Sequence, residues 1–302
     1  MRKVDWRALV AVLARLDARW ALLGWALSLL LIAGLALRWQ LFLRQQGIQL
    51  PFTTVFSLTW AGQFFNSILP GATGGDVVKI YQLCRLVPDR KAAAAATVFV
   101  DRLSALLALL VLAGAALAID PVPLRILSAQ SFSTRTLVWL LLLALIVLLA
   151  ASICFRAIRS TFWGGRLLRT LAAAKSHLSF NWKVLAAVAL AFALHLLNFL
   201  IACLFAKALG ISVTYLQVAI IVAVVMLLIM LPVTINGHGL RELLLIAYFT
   251  QMGIGIGWFG GSGTREIAVA FSLVLVANDL LWSIPGGIWY MARFKAPIRD
   301  VN

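Results

Sequence analysis

Eighteen consecutive residues from Trp20 to Leu37, WALLGWALSLLLIAGLAL, carry no charged side chain, and Leu137 to Cys154 repeats the pattern at the same length. A stretch of that kind is long enough for the roughly 20 apolar residues of a membrane-crossing helix. It is also too continuous for a barrel strand, in which apolar and polar residues alternate. With every backbone N–H and C=O needing a partner inside hydrocarbon, helices are the remaining solution. Hydrophobic residues make up 63% of the chain, charged residues 12%, and the mean hydropathy is +1.01. An ordinary soluble domain has about half and a quarter. The expected fold class is therefore an all-α polytopic membrane protein.

The net charge of +16 would point to nucleic acid in a soluble chain. Here Lys and Arg cluster in the segments between apolar runs, where they set topology and attract anionic lipid. Nucleic acid is not an expected partner. Cys84, Cys154 and Cys203 are odd in number and lack metal-ligand spacing, so they read as small buried hydrophobes. No metal and no cofactor is expected.

Residues 1–19 place Leu9, Leu13 and Leu16 at helical spacing among Arg7, Arg15 and Arg19, the pattern of an interfacial amphipathic helix. A first membrane repeat then runs over 20–155. It contains spans at about 20–43, 92–119 and 137–154, with Arg38 and Arg44 at the end of the first, positioned to snorkel to the headgroups. The basic, Gly-broken stretch 156–182 reads as an amphipathic linker lying on the surface. A second membrane repeat, 183–302, has spans at about 183–207 and 266–291.

Two apolar segments are broken in the middle. The first break lies in Asn66 to Tyr81, NSILPGATGGDVVKIY, and the second in Leu231 to Leu243, LPVTINGHGLREL. Pro70 is followed at plus four, five and nine by Gly74, Gly75 and Lys79; Pro232 is followed at the same offsets by Asn236, Gly237 and Arg241. The echo is wider, since Gly47-Ile48 matches Gly210-Ile211 at an offset of 163 and Asp101-Arg102 matches Arg265-Glu266 at 164. Landmarks in one order at nearly one offset indicate an internal repeat. Between the matched spans the chain crosses an odd number of times, so the second unit enters from the opposite side. The expectation is two inverted repeats, each with a broken or re-entrant helical hairpin, as in transporters that bind substrate near the midplane. The richer basic side, which holds Arg44, Arg85, Arg90, Lys91 and the C-terminus, is expected in the cytoplasm.

Asn66, Pro70, Gly74-Gly75-Asp76, Lys79, Asp101-Arg102 and Gly237-His238-Gly239-Leu240-Arg241-Glu242 together resemble the membrane-domain family of lysylphosphatidylglycerol synthase, the flippase-like domain also found in multiple peptide resistance factors. The resemblance covers nearly the whole chain from about Asp5. It implies translocation of a lipid between leaflets, with substrates ranging from aminoacylated phosphatidylglycerol to polyprenyl-linked and other glycolipids. It also implies residence in a bacterial or archaeal cytoplasmic membrane. Family members usually carry one more span ahead of the segment resembling residues 5–19, and the bifunctional members append a soluble aminoacyl transferase domain. This chain shows neither, and the catalysis of that domain is not carried over.

The candidate substrate-binding residues are Asn66, Pro70, Gly74, Gly75, Asp76, Lys79, Arg102, Asn236, Gly237, His238, Arg241 and Glu242. Half-helix N-termini at Gly75 and Gly239 would turn free N–H groups toward an anion, with Lys79 and Arg241 adding full charges. Alternatively, Asp76 caps its helix and Lys79 snorkels or pairs with an internal acid. Asn66 is placed to satisfy carbonyls freed by the break. Asp101 and Arg102 point about 100° apart on a helix, so Arg102 either reaches the cavity or joins an inter-helix ion pair. Arg265 and Glu266 read as span-end anchors. His195 and Asn198 read as inter-helix hydrogen-bonding groups, and Asn278 and Asp279 as cavity polar groups.

The leading function is a flippase or scramblase-like carrier for an anionic phospholipid or a polyprenyl or glycolipid, and not an enzyme. With no Walker A sequence in the chain, energy would come from an ion gradient or mass action. An intramembrane lipid-phosphate enzyme using Asp76, His238 or Glu242 is the alternative, although HExxH and Gly-x-Ser-x-Gly are absent. A third reading is a non-transporting scaffold. The expected partners are an anionic lipid headgroup, membrane lipids, and either a second copy of the chain or a lipid-synthesis enzyme.

Overall fold

Two aspartates start the chain's helical structure. Asp5 accepts hydrogen bonds from the amides of Arg7 and Ala8 and begins α1, Trp6–Ala14; Asp17 accepts from the amide of Arg19 and begins α2, Ala18–Gln45. Each satisfies donors that the first helical turn leaves without partners. The computed structural model describes residues 5–68, 74–120, 122, 182–229, 239–255 and 263–294. The expected span at 137–154, all of the linker 156–182 except Trp182, and both prolines of the breaks lie outside them.

After α2 come α3, Phe52–Ile68; α4, Gly74–Leu86; a 3-10 turn, Pro88–Arg90; and α5, Lys91–Ile119. The second half holds α6, Trp182–Ala208; α7, Tyr215–Ile229; α8, Leu240–Gln251; and α9, Gly263–Phe294. No strand occurs among the described residues. Four helical stretches there are long and apolar enough to cross a membrane: 18–45, 88–119, 182–208 and 263–292. α2, with 28 residues, is about 42 Å long, against roughly 30 Å of hydrocarbon. By contrast α3, α4, α7 and α8 have 17, 13, 15 and 12 residues. The segments flanking each break are therefore short helices, and the chain is a polytopic, all-helical membrane protein.

α1 is not simply a surface helix. Leu9 and Val12 are buried in the core of the second half, Leu13 and Leu16 pack against it, and the helix rests on α9. The amide of Asp17 donates to the Ala208 carbonyl at 2.8 Å, which ties the α1–α2 corner to the end of α6.

The halves share local detail. α2 ends with Gly47 at φ 70° and a hydrogen bond from the Ile48 amide to the Leu43 carbonyl; α6 ends with Gly210 at φ 70° and a bond from the Ile211 amide to the Ala206 carbonyl. Both bonds are 2.9 Å long. A left-handed residue followed by a buried apolar one is the Schellman way of closing a helix, and glycine adopts that φ without strain. Packing has the same order: α2 lies against α6, α3 against α9 and α7 against α5, while α4 packs on α5 and α8 on α9. One apolar cluster, with Trp39, Leu43, Leu58 and Leu83, occupies the first half. A larger one, with Phe205, Tyr248, Phe249 and Phe271, fills the second half and takes in Leu109 and Ala113 of α5.

Candidate functional site

Eight helices, α2 to α9, line a cavity of about 360 Å³ that contains ionisable side chains. Charge at membrane depth is costly, so each such group has to face a partner, water or a ligand. Arg38, Lys79, Arg102 and Arg241 line it, with Asp101 and Asp279.

Two of the four cations are closed off by bidentate pairs. Arg38 Nε and Nη2 donate to the Asp101 carboxylate at 2.7 and 3.1 Å. Arg102 Nε and Nη2 donate to Asp76 at 2.5 and 3.0 Å. Paired N–H groups on one carboxylate are the strong form of charge-assisted bond. Asp101 and Arg102 thus turn away from each other and join α5 to two different helices. Among the described residues Asp76 makes no cap bond to α4 and no ion pair with Lys79.

The remaining two cations are held differently. Lys79, on α4, makes no ion pair among the described residues, and its ammonium lies 5.3 Å from the centroid of the Trp39 ring. Arg241, on α8, is 6% exposed, and its Nε and Nη2 have no hydrogen-bond partner among the described residues. Its neighbour Glu242 is 3.9 Å away but engaged elsewhere, accepting from the Gly239 amide and the Ser272 hydroxyl, each at 2.6 Å. A buried guanidinium with idle donors has affinity for an anion.

Several details correct the sequence reading. Arg38 does not snorkel; it is 4% exposed and ion-paired deep in the bundle. Among the described residues Asn66 serves no freed carbonyl: its Oδ1 accepts from the Gly75 amide at 2.7 Å and so caps α4 from the preceding helix. The amides of Gly75 and Gly239 are thus occupied by Asn66 and Glu242, and are not free to hold an anion. Glu266 is no span-end anchor, since it is 5% exposed and accepts from the Asp5 amide at 3.3 Å. Gly74 starts α4, one residue before the packed Gly75.

His195 Nε2 meets the Ala105 carbonyl at 3.0 Å, and Asn198 donates to the sulfur of Met226 at 3.3 Å. Both bonds link helices, and both side chains line the cavity. Asn278 and Asp279 face it from α9, with the Asn278 Oδ1 unpartnered among the described residues. Pro70, Asn236, Gly237 and His238 lie outside the described residues. Gln63 and Thr59 of α3, which sequence reasoning missed, line the cavity too. A signal was present: four residues apart on an apolar helix, they share a face with Asn66.

No curated protein and no solved structure matches the chain. A family model described as the lysylphosphatidylglycerol synthase TM region matches residues 1–257. Because that match spans most of the 302 residues, the chain belongs to the lysylphosphatidylglycerol synthase TM-region family, whose members are membrane proteins connected with lipid handling.

Proposed function

We propose that this protein carries an anionic lipid headgroup, of a phospholipid or of a polyprenyl or glycolipid, between leaflets through the cavity and leaves it covalently unchanged. The observation that carries the reading is the pair of cations left open, Lys79 from the helix after the first break and Arg241 from the helix after the second, both facing one cavity. A phosphate in the cavity would meet cationic hydrogen-bond donors contributed by both halves.

The matching turns at Gly47 and Gly210 and the matching order of helix packing support two units of opposite orientation. The basic residues Arg44, Arg85, Arg90 and Lys91 support a cytoplasmic α2–α3 turn and C-terminus, in the cytoplasmic membrane of a bacterium or archaeon.

The test is a leaflet assay in proteoliposomes. Lys79→Ala combined with Arg241→Ala is expected to lower translocation of an anionic phospholipid by about tenfold or more, since two charge-assisted bonds are lost. Mass spectrometry should find the lipid unaltered. Full transport by the double variant would remove the headgroup role from these residues, and a changed lipid mass would favour an enzyme.

A further inference from the structure

Beside the cationic cavity lies a second chamber of about 170 Å³ with the opposite chemistry. The two share Gln63, Asn66, Asn198, Asn278 and Asp279, so they are continuous. The smaller one also has three hydroxyls, and all three protons are already committed. Ser28 donates to the Gly24 carbonyl at 2.8 Å, Ser67 to the Gln63 carbonyl at 3.1 Å and Ser283 to the Leu280 carbonyl at 3.2 Å. What these serines present to the chamber is lone pairs. The Asn278 Oδ1, buried and without a donor among the described residues, adds another acceptor. Asp279 supplies the only full charge among the described residues that line the chamber.

Charge balance makes the same point. About the joined chambers, Arg38, Lys79, Arg102 and Arg241 are matched by Asp76, Asp101, Glu242 and Asp279, so the described set is neutral. A monoanionic headgroup entering alone leaves an uncompensated charge in a medium of low dielectric. One monovalent cation beside it restores neutrality.

We propose that Asp279, Asn278 and the serine oxygens of the smaller chamber form a binding site for an alkali metal cation, Na⁺, that enters together with the anionic headgroup. Hard cations take oxygen ligands, most of them neutral, and this chamber offers several oxygens and one carboxylate. At about 30 Å³ per water, it has room for the ion and a few of its waters. The role in coupling rests on the transport reading; the binding does not.

The experiment measures thermal unfolding of the full purified chain in NaCl and in choline chloride at equal ionic strength and constant pH. Na⁺ is expected to raise Tm by about 3 °C or more. Asp279→Asn should abolish that rise, and Ser28→Ala with Ser283→Ala, which keeps the carboxylate, should move the Na⁺ midpoint about fivefold higher. Equal Tm values in the two salts, or an undiminished rise in both variants, would overturn the site. So would a Tm that answers to pH but to no alkali cation, which would leave a proton on Asp279 in the field of Arg241, with Lys79, Arg38, Arg102, Asp101 and His195 lining the same cavity. Because no lipid is present, a Na⁺ response alongside a failed leaflet assay would retire the transport reading and keep the site.

Discussion

Arg38 and Asp101 are 4% and 7% exposed, and their pairing fixes how each responds to substitution. Removing one partner strands a charge in the bundle, so Arg38→Leu or Asp101→Leu should each cost about 3–5 kcal/mol of stability. Replacing both with leucine should recover most of it, because the desolvation cost disappears with the charges. Thermal unfolding of the three variants checks this, and additive losses would count against the pair. Arg38 also shows why the sequence misled. Its partner is 63 residues away, and its place two turns before the end of an apolar run is equally what a snorkelling residue would have. Asp101 and Arg102 were more legible, since adjacent charges on a helix must look in different directions.

The α3–α4 hairpin tests the fold at the level of elements. A Cβ at Gly75 would overlap the Gly62 carbonyl oxygen on α3, whereas one at Gly114 on α5 would meet nothing within 4 Å among the described residues. Gly75→Ala should therefore separate α4 from α3 and lower both Tm and translocation, and Gly114→Ala should leave Tm unchanged or slightly raised. Asn66→Ala should cost about 1 kcal/mol through loss of the α4 cap, and Asn66→Asp should keep most of it. Helix positions were readable because each rests on a local signal: an apolar run, a proline, a glycine after the last turn. The cap from Asn66 was not, because its acceptor reaches across nine residues that include the break itself. Nothing in the sequence around Trp39 marks the face it offers to Lys79 of α4.

At the scale of the molecule the sharpest prediction concerns sidedness. Gln49 and Ser212 are both exposed and follow the equivalent turns at Gly47 and Gly210. In a variant lacking the native cysteines, Gln49→Cys should react with an impermeant thiol reagent only from the cytoplasmic face, and Ser212→Cys only from the other. Labelling from one common face would end the inverted arrangement. The α5 pairs bear on motion as well. Through neighbouring residues, α5 grips α2 with Asp101 and α4 with Arg102, and three helices of the first half become one stiff frame. Across the cavity, Arg241 holds nothing so firmly. On the transport reading, a displacement that admitted a lipid would fall to α8 and its neighbours, and the two halves, alike in outline, would divide the labour of stator and gate.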